Sequence, residues 1–361
     1  MKWFRTQPRQ GAVFWRRLRE AEQHLQGRRF AESLAMLDWV IVEGSGRYLP
    51  PFGECMGQVH VCRLFALAEL GRAPEAWEHF SSVMPGFLAT GPQAGDSVRA
   101  LRAMMGQILL RHGHDDAAQE HFALVLAECQ ATGNSAEALA WNVKFVGYEV
   151  VTGRAEAGER RARVVLPQLD AVQMAEEDRK KSTGLVRGLL AIALAESGRP
   201  DEGVREAESA VAELTGLHGS DCDCADLARR IRAFALVESG RADEAEAELR
   251  TMLAAFDTED HAGRTQLGSL RSVLGQALVA QGRHAEAVAE LRPAIPLLSS
   301  TQGSGAPVTL DAASVLARAL QASGEPAEAR EILSAALQAG ESGPDRGHPE
   351  VARIRERLAA L

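Results

Sequence analysis

Aromatic residues and lysine are scarce in this chain of 361 residues, and no stretch of it stays apolar for long. Phe, Trp and Tyr together make up 5% of the residues, and lysine occurs at only four positions. No apolar run approaches the ~20 residues that a membrane-spanning helix requires. The first ten residues contain no apolar segment of the length found in a secretory signal. We therefore expect a cytoplasmic protein.

Cysteine and positive charge are also too sparse for two common classes of protein. The five cysteines are odd in number and irregular in spacing, so a disulfide scaffold is not expected. The formal net charge is −9, and non-specific nucleic-acid binding depends on clustered Lys and Arg, so direct binding to nucleic acid is not expected. The segment 1–10 is basic and aromatic. We expect it to cap the first structural unit, with docking on an anionic membrane surface as the less favoured alternative.

Catalytic and cofactor motifs are missing as well. The sequence has no Walker-type phosphate loop, no Gly-x-Ser-x-Gly elbow and no His-Glu-x-x-His zinc motif. His218, Cys222 and Cys224 are spaced like metal ligands, but nothing nearby supplies the fourth ligand of a tetrahedral zinc site. We predict that the protein is not an enzyme and that it holds neither a metal nor a cofactor.

A glycine turn recurs along the chain. In most cases the glycine is followed by Arg, then by polar residues and a small residue. Successive turn glycines are 40 to 45 residues apart, and four of the six intervals are 42. The glycines are Gly71, Gly113, Gly153, Gly198, Gly240, Gly282 and Gly324. A fixed period in this range is typical of a solenoid of stacked helical units.

Each turn glycine lies between two segments with helical periodicity. Apolar residues recur three or four positions apart before and after Gly282. The glycine is expected to end the first helix in the left-handed conformation, and the acidic residues after it to begin the second. The pattern predicts eight helix pairs, the first of them at 11–43 with one extra residue in its turn. Loops rich in Gly and Pro are predicted at 44–57, 84–95 and 299–307.

The small residue of the first helix, the glycine turn, the alanine of the second helix and the apolar residue after it resemble the tetratricopeptide repeat family. The 42-residue period and the Gly-His-Pro loop at 343–350 resemble its kinesin-light-chain subfamily. The resemblance implies an all-α, right-handed α-solenoid of about eight helix-turn-helix repeats with a C-terminal capping helix. We expect an N-terminal segment at 1–10, a repeat array at 11–349 and the capping helix at 350–361.

Polar residues form a column on the first helices, eleven positions before six of the seven turn glycines, and the seventh place is Ala313. Lys144 lies beside this column, two positions after Asn142. In the tetratricopeptide family the first helices line a concave groove, where basic residues bind acidic or carboxylate-ended peptides, and arginine suits carboxylates because its planar fork makes two bonds. The resemblance implies partner binding by Arg102, Asn142, Lys144, Arg187, Arg229 and Arg271. The alternative is that these side chains pair with acidic residues of neighbouring helices.

Aromatic and apolar residues give a second set of candidates. Trp141 and Tyr148 are large amphipathic side chains of the kind that anchor protein interfaces, and core packing is the alternative for both. The groove floor is predicted to be apolar and to serve either as core or as a site for a partner helix. Its residues are Val61, Phe65, Val143, Leu185, Ile192, Leu227 and Phe234.

The predicted function is a non-catalytic protein- or peptide-binding scaffold or adaptor. The abundance of Arg, Ala and Gly suggests a bacterial source. The alternative is a bacterial regulatory sensor whose array binds a small peptide or ligand and modulates a transcription factor or an enzyme. The partner is a protein or peptide, acidic if the arginine column binds it. The sequence leaves its identity and the oligomeric state open.

Overall fold

The computed structural model describes residues 12–218, 223–256 and 261–361, which form seventeen α-helices and no β-strand. The helices are α1 Ala12–Gln26, α2 Phe30–Gly44, α3 Glu54–Glu69, α4 Ala73–Thr90, α5 Gly95–Arg111, α6 Asp115–Ala131, α7 Ser135–Val151, α8 Ala155–Ala171, α9 Glu176–Glu196, α10 Pro200–His218, α11 Asp223–Glu238, α12 Ala242–Ala254, α13 His261–Ala280, α14 His284–Gln302, α15 Pro307–Ala322, α16 Pro326–Ser342 and α17 Pro349–Ala360. They form eight hairpins and a closing helix, so the predicted all-α repeat architecture is confirmed.

The contacts divide the chain into two compact units, Met1–Asn134 and Ser135–Leu361. The first unit contains α1 to α6, and the second contains α7 to α17. In the second unit the first helices of successive hairpins contact one another from α7 to α15, and α17 continues the series against α15. Each second helix packs against the first helices of its own and the next hairpin. The first helices therefore form the inner layer of this unit and the second helices its outer layer.

Every hairpin turn is closed by the same two backbone hydrogen bonds. The turn residue donates to the carbonyl three residues earlier and the next residue to the carbonyl five residues earlier, at 2.8–3.1 Å. The seven turn glycines have φ between 70° and 84°, the left-handed region that glycine enters without strain. In the first hairpin Arg28 occupies this place with φ 55°, and Gly27 is the extra residue of the turn.

Two positions that face each other across each hairpin form much of the core. One lies seven residues before the turn residue and the other nine residues after it. Where the first is glycine, the second is large: a Cβ at Gly106 would lie 2.4 Å from Phe122 Cε1, and one at Gly275 would lie 2.4 Å from Leu291 Cγ. Phe122 and Leu291 are almost completely buried. The two helices of each of these hairpins therefore approach closely, because the large side chain occupies the space that a Cβ on the glycine would need.

The three predicted loops are too long, because helices extend into each of them; α3 begins at Glu54, inside the first, and the other two are shortened more. Residues 84–90 belong to α4 and a short 3-10 helix, Gly91–Ala94, follows, while α14 continues to Gln302. Pro85 lies inside α4, although proline removes a helix hydrogen bond. Phe87 in the last turns of α4 and Leu298 in those of α14 are fully buried. We attribute the continued helices to this burial, which offsets the bonds lost at the prolines.

Candidate functional site

The predicted arginine column pairs with carboxylates of the second helices. Arg187 Nη1 lies 2.7 Å from Glu206 Oε2, and Arg271 Nη1 lies 2.6 Å from Glu290 Oε2. Both pairs join the two helices of one hairpin, and in both the carboxylate lies eight residues after the turn glycine. The column therefore has a structural partner at an equivalent position in each of these hairpins.

The same two positions carry other polar pairs in other hairpins. Asn142 Oδ1 accepts a hydrogen bond of 3.1 Å from Arg161 Nη1. Arg161 also donates to both carboxylate oxygens of Glu149, at 2.8 and 2.9 Å, and Glu149 is buried. In the first unit, His60 Nδ1 and His79 Nε2 lie 3.0 Å apart. The same two positions therefore form a polar contact between the helices in several hairpins, as an ion pair, an amide–guanidinium hydrogen bond or a histidine pair.

The two remaining arginines of the column pair with carboxylates at other positions. Arg229 Nη1 lies 3.1 Å from Asp226 Oδ1 on its own helix. Arg102, in the first unit, places Nε 3.2 Å from Glu128 Oε1 of α6. The four predicted arginines keep between 14% and 32% of their side-chain surface exposed. An acidic partner would therefore have to compete with a carboxylate of the chain at each of them.

The other predicted site residues lie together on α7. Trp141 stacks on Phe145 with ring centroids 5.9 Å apart, and Lys144 Nζ lies 4.0 Å from the Trp141 ring centroid. The Tyr148 ring lies 6.2 Å from the ring of Phe145, which is fully buried. Loss of hydration raises the pKa of Tyr148. Trp141 and Tyr148 both take part in core packing and keep part of their surface accessible.

An open groove of about 380 Å³ lies between α9 and α10. Lys180 and Arg187 line it together with Ser209, Ala212 and Glu213. Lys180 Nζ is also 2.9 Å from Glu176 Oε1. The two cations are placed to attract an anionic group, while Glu213 opposes it. Among the predicted residues, Arg187 is the one that reaches this groove.

Large apolar side chains are exposed on the inner layer of the second unit. Leu185 of α9 is 42% exposed and Leu227 of α11 is 37% exposed, and each lies thirteen residues before its turn glycine. Ile192 and Phe234 continue the two stripes toward the turns and are half-buried. The predicted groove floor is therefore partly core and partly accessible surface. We refer to these four residues as the inner apolar stripe.

Sequence reasoning missed a group of charged side chains on the inner layer, near α17. Reduced hydration first, and neighbouring carboxylates after it, raise the pKa of Glu196 to about 7 and that of Asp311 to about 7. Arginines of α17 face these carboxylates and act in the opposite direction. The group contains Glu196, Glu238, Asp311, Glu350, Arg353 and Arg357. The one available sequence signal was the glutamate two residues before the turn glycine in both α9 and α11.

Neither a membrane-spanning helix nor a metal-binding cluster lies among the described residues. None of the described helices combines the length and apolar character needed to cross a membrane. Within the same residues, His, Cys, Asp and Glu side chains form no group of three or more that could hold a metal ion. Cys224 is an exposed free thiol. Cys222 and the side chain of His218, the other two residues of the metal-like spacing, lie outside the described part of the chain.

Comparisons with protein families identify one kind of repeat. Two family models described as tetratricopeptide repeat match the chain, one at residues 266–342 and the other at 184–209 and 227–251. All three segments lie in the second unit. No curated protein is significantly similar to the sequence.

Solved structures support the same repeat fold. A tetratricopeptide repeat protein from Parabacteroides merdae is 12% identical with a TM-score of 0.54, and the match covers 86% of this chain and all of that one. A Rap protein complexed with Competence and Sporulation Factor is 13% identical with a TM-score of 0.52, covering 96% of this chain and 99% of that one. Kinesin-light-chain repeats from Podosopora anserina are 22% identical with a TM-score of 0.39, and the match covers 56% of this chain and 95% of that one.

Proposed function

We propose that this chain, whose second unit contains repeats that match tetratricopeptide repeat models, is a non-catalytic scaffold or adaptor that binds a protein or peptide. The binding surface in this proposal is the inner layer of the second unit. The proposal includes seven predicted residues of that unit, Trp141, Asn142, Lys144, Tyr148, Arg187, Arg229 and Arg271, in a supporting role around the inner apolar stripe.

The observation that carries the proposal is the exposure of Leu185 and Leu227. They occupy equivalent positions on neighbouring inner helices that contact each other. The equivalent residue of α13, Ser269, is buried, so the exposed apolar surface belongs to α9 and α11. Burial of a leucine is worth about 1.5–3 kcal/mol, so leaving two of them accessible favours a partner that covers them. An amphipathic segment that lays its apolar side on the stripe fits this surface.

The arginine column sets the charge preference of such a partner. Arg187 and Arg271 already bind Glu206 and Glu290, and an acidic segment gains little where it only replaces a carboxylate of the chain. Lys144, which is exposed beside Trp141, is a more available cation. We therefore propose that apolar contact contributes most to binding, and that acidic residues of the partner contribute less.

The test is affinity capture from source-cell lysate with paired variants. We expect a protein bound by the wild type to be lost from Leu185→Glu/Leu227→Glu. Val164→Glu is the matched control, since Val164 is 58% exposed on the outer helix α8 of the same unit. Capture by the wild type and this control, with loss from the double variant, would support the proposal. Equal capture by all three, from variants shown by circular dichroism to be folded, would contradict it.

A regulatory sensor is the second candidate. One structure with a similar fold is a complex with Competence and Sporulation Factor, and by analogy a small peptide or ligand is a candidate occupant of this chain. A ligand that binds the folded state alone raises the melting temperature, by the equivalent of about 2.7 kcal/mol at a hundred times its Kd. A thermal-shift scan of small non-peptide ligands separates the two candidates, since a rise with such a ligand supports the sensor, whereas a rise with peptides alone fits either candidate.

A further inference from the structure

The last helix of the second unit contacts the turn of the first hairpin of that unit. A Cβ built on Gly153, between α7 and α8, would lie 2.6 Å from Pro349 Cδ and 3.1 Å from His348 Nε2. At four equivalent glycines, by contrast, a Cβ would meet no atom within 4 Å. These are Gly198, Gly240, Gly282 and Gly324. The Gly153 turn is thus a specific docking point for the start of α17.

The other side of α17 is fixed to the last hairpin of the unit. Val351 and Ile354 are buried in the same core cluster as Leu310 of α15 and Leu333 of α16. Arg357 Nη1 donates a hydrogen bond to Ser314 Oγ of α15, and Ser314 is completely buried. The helix therefore joins the first and the last hairpins of the second unit.

The polar face of α17 is held by charge. His348 Nδ1 accepts a hydrogen bond of 3.2 Å from the Glu350 backbone N–H, which caps the helix. Arg353 Nη1 lies 3.1 Å from Glu350 Oε2 and favours the ionised form of Glu196 on α9. Arg357 has the same effect on Asp311 of α15. Without α17, the carboxylates of α9, α11 and α15 would face one another with less compensation.

We propose that α17, with its cap His348, is a clasp that closes the second unit and whose release exposes to a partner the part of the inner layer that α17 contacts, around Glu196 and Asp311, while the inner apolar stripe is accessible with the clasp in place. The clasp itself stands on the contacts at Gly153, Ser314 and the buried core. Its role in admitting a partner rests on the proposed function. Because α17 has two separate contact sites, its contact with Gly153 can open while its contacts with α15 and α16 persist. Such local opening costs less free energy than unfolding of the whole unit.

Hydrogen exchange of the full chain tests the clasp with two matched pairs of variants. Pro349→Ala removes the ring that touches Gly153, and Pro326→Ala removes the proline from the corresponding first turn of α16. Gly153→Ala adds a methyl group against Pro349, and Gly240→Ala adds the same strain at a turn with open space. We expect amides of α17 to exchange about tenfold faster in Pro349→Ala and Gly153→Ala, and unchanged in the two controls. Wild-type exchange of α17 in Pro349→Ala would overturn the clasp, even if Gly153→Ala failed to fold.

Capture from lysate then tests the link to partner binding. Pro349→Ala is expected to capture more of a partner than the wild type, and Pro326→Ala the same amount. Equal capture by all three would overturn the regulatory role. Absence of any captured protein would count against the proposed function, while the exchange rates of α17, which need no partner, would still decide whether the clasp exists.

Discussion

His60 and His79 share one hydrogen bond across the hairpin of α3 and α4, with 3.0 Å between Nδ1 and Nε2. Burial first, and the nearby Arg63 second, lower the pKa of His60 to about 4 and that of His79 to about 3. Both rings are therefore neutral in the folded chain across the physiological range. A shared hydrogen bond between two neutral rings requires one to donate and the other to accept.

The histidine pair predicts a loss of stability in mild acid. Unfolded histidine has a pKa of about 6.5, so the unfolded chain takes up protons below this pH that the folded pair does not. Stability that is present above about pH 6.5 is then lost as the pH falls toward 4. Melting temperatures at about pH 7.5 and pH 5 should fall less in His60→Asn/His79→Asn than in the wild type. His114→Asn, at an exposed turn, should keep the full decrease. Equal decreases in all three would contradict the prediction.

Gly106→Ala is predicted to destabilise the first unit by about 1–3 kcal/mol, since the added Cβ would overlap the ring of Phe122. The comparison is Gly147→Ala on α7, where the nearest atom is Leu189 Cδ1 at 3.8 Å. That change should be neutral or stabilising by up to about 1 kcal/mol, because alanine favours helix over glycine. Urea denaturation of both variants measures the difference. Similar midpoints would show that Phe122 can move aside.

Arg271 and Glu290 are predicted to be coupled in stability. Their ion pair is half-exposed, so a double-mutant cycle with alanine at each position should give about 0.5–1 kcal/mol. The pair of Arg187 and Glu206 has the same geometry and should give a similar value. A coupling energy of zero at both hairpins would mean that the arginines are free to bind a partner, as the sequence first suggested.

Asp311→Asn is predicted to stabilise the chain at high pH. Gln276 Nε2 donates to Asp311 Oδ2 at 2.5 Å, while reduced hydration first and Glu350 second raise the pKa of this carboxyl to about 7. A group whose pKa is raised on folding contributes stability at low pH that is lost as the pH rises through the folded value. The variant should therefore exceed the wild type in melting temperature at about pH 8.5, with the gap closing near pH 5.

Asp243→Asn is the control for this change, because Asp243 is an exposed carboxylate on α12 of the same unit. Its melting temperature should follow that of the wild type at both pH values. A pH-independent effect of Asp311→Asn would contradict the assignment of the raised pKa to this residue.

The hairpins could be predicted because their determinants are local. The glycine of each turn, the small residue five positions later and the apolar period on either side lie within one repeat. Even the irregular first turn could be assigned, since Arg28 adopts the left-handed conformation at the place of the missing glycine. The prediction of a loop at 84–95 was wrong for the opposite reason. Its proline content is a local signal, whereas the burial of Phe87 that keeps the helix intact depends on tertiary packing.

The candidate site was less predictable, because its residues depend on partners distant in sequence. The arginine column was visible, but the carboxylate that neutralises Arg187 became clear only when the register of α9 against α10 was known. The contact of Pro349 with Gly153 joins opposite ends of the second unit, and no repeat period encodes it. The exposure of Leu185 likewise depends on which face of α9 the neighbouring helices leave uncovered.

In the hairpins of Gly106 and Gly275, the reciprocal sizes of the two facing core positions limit which helices can be exchanged during evolution. A helix with Gly106 fits a partner with phenylalanine, and that with Gly275 fits one with leucine, so helices exchanged singly between hairpins would collide or leave a void. Whole hairpins carry both members of the match and can be duplicated or recombined without that penalty. Crossovers between repeats should therefore be tolerated in the connections from one hairpin to the next, and selected against at the glycine turns.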